Sequence, residues 1–89
     1  MPGLPPEEVA RLLDERAERL EQELARTKDV LEQLAARGLP RLNVVELEYH
    51  AALREAELAF TRSLAREIAA GTLEGIETWK TYHRRRSRT

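Results

Sequence analysis

The chain has no cysteine, which excludes disulfides and thiolate metal sites. Aromatic residues make up only 4%, a single Phe, a single Trp and two Tyr, too few for an ordinary globular core or an aromatic nucleic-acid platform. Four glycines in 89 residues form no phosphate-cradling loop. No apolar run reaches the length of a membrane span, and the opening MPGLPPEEV has neither a basic n-region nor an apolar h-region. These absences predict one small domain without a membrane segment, in the cytoplasm. What is abundant is charge of alternating sign, at 35% of residues, which suits long solvated helices. Arg84, Arg85, Arg86 and Arg88 hold four of the fifteen basic side chains. The body without them is therefore acidic, and a poor surface for nucleic acid.

Residues 1–5 carry Pro and Gly and are expected to be extended. Pro6 fits the first helical position, with Glu7 and Glu8 in the first turn. From there Ala10, Leu13, Ala17, Leu20, Leu24, Thr27, Leu31 and Leu34 alternate spacings of three and four without a slip. That is a heptad seam of about four repeats, predicting a helix over 6–37 that is roughly 48 Å long. Glu7–Arg11 and Glu15–Arg19 are spaced as favourable i,i+4 pairs on it. Gly38 and Pro40 stop the helix, and Asn43 with Glu46 is spaced as a capping box for the next one. So short a connector predicts an antiparallel hairpin.

The second helix, over 43–70, organises the chain, because it is apolar on two opposed sides. At 100° per residue, Tyr49, Leu53, Ala56, Phe60, Leu64 and Ile68 fall in one arc. Val44, Leu47, Ala51, Leu58, Ala65 and Ala69 form a second arc. Glu48, Glu55, Arg62 and Arg66 edge one flank between them. Two stripes require two partners: the preceding helix, and a second copy of the chain. The first arc is accordingly expected to form the core and dimer interface, with Tyr49 and Phe60 packed inside. The fold class is all-α: a long antiparallel hairpin plus a short C-terminal helix, dimeric as a helical bundle or coiled coil. Helical spacing of Leu73, Ile76, Trp79 and Tyr82 supplies the short helix, with Thr72 as its cap, so the helical domain spans 6–83. Residues 84–89 are expected to be a disordered basic tail.

No motif points to catalysis, a metal or a cofactor. The carboxylates lie on the polar side of a heptad helix, His50 and His83 have no second His or Cys at ligand spacing, and Ser63 has no His within helical reach. His50 is read as a flank residue between Glu46 and Arg54. Trp79 and Tyr82 have two readings: anchors covering one end of the hairpin, or a platform on which a planar small-molecule effector stacks.

Three stretches together resemble the C-terminal half of PadR-family transcriptional regulators: PPEEVARLLDERAERLEQELA, LPRLNVVELEYHAALREAELAF and AREIAAGTLEGIETWKTYH. The resemblance covers roughly Pro5 to His83. It implies a homodimerisation and effector-sensing domain in transcription regulation, binding DNA only through a winged helix. The 89 residues leave no room for that element, so the chain is expected to be a separate C-terminal domain or a relative without its DNA reader. The competing class is a stand-alone coiled-coil adaptor whose second apolar face receives a different protein.

Overall fold

The computed structural model describes residues 3–87 and is all-α. Helix α1 spans Pro6–Ala36, a single 3-10 turn spans Arg41–Asn43, α2 spans Val45–Ala70 and α3 spans Ile76–Ser87. Pro5 is extended and its carbonyl accepts from the amides of Glu8 and Val9, both at 3.1 Å, so Pro6 opens α1 at no hydrogen-bond cost. At the far end Gly38 takes φ +81°. Its amide donates to the Ala35 carbonyl, and the Leu39 amide donates to that of Leu34. This is the Schellman closure that a left-handed glycine permits. Gly71 repeats it at φ +74°, with the Thr72 amide donating to Glu67.

α1 and α2 pack as an antiparallel hairpin. All eight α1 seam positions from Ala10 to Leu34 are buried or half-buried. On α2 the facing seam is Val44, Leu47, Ala51, Arg54, Leu58, Thr61, Ala65 and Ile68, again alternating threes and fours. Ala17 and Ala65, each 2% exposed, bring the helix backbones close. One core cluster joins Ala17, Leu20, Leu24, Ala51 and Leu58. The other, where the start of α1 meets the end of α2 and the start of α3, joins Val9, Ala10, Ile68 and Ile76, with Leu13, Leu64, Leu73 and Trp79 against it. Arg54 lies on the seam but turns its guanidinium outward to Glu23 at 3.7 Å and Glu57 at 3.3 Å. Arg16–Glu57, Arg62–Glu21 and Lys28–Glu55 also bridge the helices at the surface. Such pairs contribute little stability each, but they favour this register over others.

The result is a rod of 63 × 19 × 18 Å with a radius of gyration of 18.7 Å. A compact domain of this length would have about 12 Å. A two-helix rod packs only one side of α2 against α1, and this positions the surface described below.

Local details depart from expectation at four places. Asn43 and Glu46 form no capping box: the Asn43 and Val44 amides donate to Pro40 and Arg41 in the 3-10 turn, and Val44 becomes the N-cap. Arg11 pairs with Glu8 and with Glu15, at 2.6 Å for the latter, and not with Glu7. The hydrogen bond from Arg11 holds the Glu8 carboxyl below its ordinary range, against slight desolvation, with the attraction of the guanidinium adding to it. The stabilisation this gives is present at neutral pH and fades as pH falls through the carboxylate range. Thr72 closes α2 and does not cap α3, donating through its hydroxyl to Glu67 at 3.4 Å. Finally, α3 runs through Ser87, so Arg84, Arg85 and Arg86 are helical, consistent with the good helix propensity of Arg. Arg88 and Thr89 of the expected tail lie outside the described residues.

Candidate functional site

The long exposed side of α2 is the feature on which function turns. Val45 (47% exposed), Tyr49 (61%), Leu53 (47%) and Phe60 (70%) stand along it, with Ala52, Ala56, Ala59 and Ser63 exposed among them. This side lies roughly opposite the seam that packs on α1, as a helix with two apolar stripes requires. From Val45 to Ser63 it extends about 27 Å at 1.5 Å per residue. Leu39 and Leu42, the latter 85% exposed, continue the apolar surface over the hairpin tip.

The two opposed stripes of α2 are present, but their members differ from the reading by arcs. Tyr49 and Phe60, expected in the core, are exposed, and so are Leu53 and Ala56. Only Leu64, half-buried, and Ile68, 4% exposed, belong to the hairpin core. The left-handed drift of a 3.5-residue repeat across a 3.6-residue helix carries the α1-facing seam toward Ile68 at its C-terminal end. Thr61, which a reading by arcs leaves on a polar flank between them, is 5% exposed. The alternating spacing that starts at Val44 passes through both Thr61 and Ile68.

His50 is exposed, its ring 6.0 Å from that of Tyr49 and tilted by 58°. Trp79 is half-buried against the terminal cluster, and its indole N–H donates to the Leu4 carbonyl at 2.8 Å. It ties the N-terminal segment to α3, the anchoring role. Trp79→Phe keeps most of the packing and removes that bond, so it should cost about 1 kcal/mol and lower the melting temperature by about 4–8 °C. Circular dichroism melts check this, and an unchanged melt would mean the bond contributes nothing. Tyr82 is exposed and lines a shallow depression of about 450 Å³ with Glu77, Thr78 and Thr81. A smaller one of about 140 Å³ lies between α1 and α2 beside Arg16, Arg19, Glu23 and Arg54. Among the described residues, no group of three or more acidic or His side chains could hold a metal ion. None of the helices there is long and apolar enough to cross a membrane.

Comparison with protein-family models, curated proteins and solved structures finds no match to this chain.

Proposed function

We propose that the chain is a homodimerisation domain, with effector sensing as a further role, of a PadR-like transcriptional regulator. The observation that carries the dimerisation reading is the uncovered apolar stripe of α2, headed by Phe60 at 70% exposure. Isolated exposed apolar residues are ordinary; a continuous row on one helix side is the signature of an interaction surface. The regulator context rests on the three resembling stretches and on nothing else. Sedimentation equilibrium tests the function directly. The expected species has twice the 10.2 kDa chain mass. A species of single-chain mass at every concentration up to the millimolar range removes the reading and leaves the adaptor alternative, in which a different protein covers the stripe.

For effector sensing, the depression at Tyr82, on the same helix as Trp79, is the place for a planar ligand. Titration with planar hydrophobic small molecules should quench Trp79 emission, and an unchanged spectrum with all of them removes that part. Sequence-specific DNA binding is assigned to a winged helix outside this chain. In a gel-shift experiment at physiological salt, the chain alone should bind operator and scrambled duplex equally weakly, with affinity falling steeply as salt rises.

A further inference from the structure

We infer that the exposed stripe of α2 packs against α2 of a second copy in antiparallel orientation, with the two-fold axis passing at Ala56. This rests on the self-association reading above and goes further by assigning partner, direction and register. Between Tyr49 and Ser63 the stripe places each large residue as far from Ala56 on one side as a small residue stands on the other. Reversal about Ala56 exchanges positions equidistant from it. Phe60 then lies over the partner's Ala52, Leu53 over the partner's Ala59 and Tyr49 over the partner's Ser63. Each of these three large side chains meets a small one, Val45 at the end of the stripe comes level with the partner's Glu67, and Ala56 meets its own copy where the helices approach most closely. All of these residues are exposed in the single chain, so the face is free to be covered.

The alternatives pack worse. A parallel pairing sets Phe60 on Phe60 and Tyr49 on Tyr49 while leaving a gap at Ala56. An antiparallel pairing shifted to put Tyr49 over Phe60 opposes the two largest side chains and places Ala52 over Glu57. Interfaces reach interior packing density by interdigitating large with small, as cores do.

Charge gives the same direction independently. On the flank beside the stripe, Glu48 and Glu55 occupy the first half and Arg62 and Arg66 the second. Antiparallel packing brings like flanks together with their ends exchanged, so acidic halves face basic halves. Parallel packing would instead set this flank against the partner's opposite flank, so Glu48 and Arg66 would not come together. Within the chain Glu48 is paired with Arg41 at 3.0 Å, Glu55 with Lys28 and Arg62 with Glu21. Arg66 has no ion pair among the described residues and is the cation best placed to meet the partner's Glu48.

The absence of native cysteine makes the test direct. Single variants Ala56→Cys, Ala52→Cys and Ser63→Cys are oxidised under mild conditions and run on non-reducing gels. Two cysteines bridge only if their Cα atoms lie within about 7 Å. Ala56→Cys should give a disulfide-linked dimer. Ala52→Cys and Ser63→Cys should not, being displaced from their own copies by about 12 and 21 Å along the helix axis. Mixing Ala52→Cys with Phe60→Cys should give the mixed dimer. Cross-linking of all three single variants means a parallel pair and overturns the proposal. A dimer by mass in which Ala56→Cys fails to cross-link means another register or face, and overturns it too. A chain that is monomeric by sedimentation defeats the self-association reading itself, a separate outcome. Packing gives a second readout: Ala52→Phe should weaken the dimer about tenfold or more, and Ala52→Phe with Phe60→Ala should restore it. Failure of the double variant to recover affinity counts against the register.

Discussion

Leu20→Ala is expected to lower the stability of the chain by about 2–5 kcal/mol, a large part of the 5–15 kcal/mol that holds a typical domain. Leu20 is 4% exposed and lies in the middle of the α1 seam, in the cluster with Ala17, Leu24, Ala51 and Leu58. Two of those four neighbours are alanines, which have no reach to fill the space left by the lost methyl groups. The surrounding backbone is held by continuous helix on both sides, so collapse around the cavity would require moving one helix against the other. The cost should therefore fall in the upper part of the range. For a chain of this size each kcal/mol corresponds to about 4–8 °C in melting temperature, so a loss of more than about 10 °C is expected. Leu12→Ala is the control. It removes the same atoms from the same helix, but Leu12 is 39% exposed, and the change should cost about 1 kcal/mol or less. Both melts are compared at one protein concentration, since association and folding are linked. If Leu20→Ala melts with Leu12→Ala, the α1 seam is not the core that holds the hairpin.

The difference between the two leucines shows what could be read from the sequence. In α1 all eight seam positions are apolar apart from Thr27, so period and face were legible without coordinates. The hairpin was legible too, because Gly38 and Pro40 are a physical stop and the connector is too short for another arrangement. In α2 the same heptad spacing exists, but two of its eight places hold Arg54 and Thr61. By count the two arcs are then equal, six apolar residues each, and the larger side chains favour the side with Tyr49, Leu53 and Phe60, although in this rod those three face outward. What decides the inner face is the fit to α1. Ala51 and Ala65 allow the close approach that Tyr49 and Phe60 would prevent. Size, not hydrophobicity, selected the intrachain side of α2. The anchoring of Leu4 by Trp79 was legible only as a general role, because the bond joins positions 75 residues apart.

That division of labour makes Phe60→Asp the most informative single change for association. Phe60 is 70% exposed in the single chain, so the monomer buries little there and loses little when it is replaced. Far-ultraviolet circular dichroism and the melt at low concentration should stay close to the parent, with a difference of about 1 kcal/mol or less. In the dimer the same position lies in the covered stripe. Its replacement removes a large apolar surface and takes a carboxylate out of water, with only Ala52 of the partner subunit facing it. Burying an unpaired charge costs several kcal/mol, so the dissociation constant should rise by about a hundredfold or more. Sedimentation equilibrium of parent and variant over the same concentrations measures this. Arg62→Ala, on the flank two residues away, should shift association by less than about tenfold, because exposed ion pairs contribute about 1 kcal/mol at most. The pattern expected is an intact monomer that no longer pairs. If Phe60→Asp unfolds the monomer, α2 buries this side against its own chain in solution. If the variant associates as tightly as the parent, the contact between copies lies elsewhere on the rod, and the hairpin tip at Leu39 and Leu42 becomes the next surface to alter.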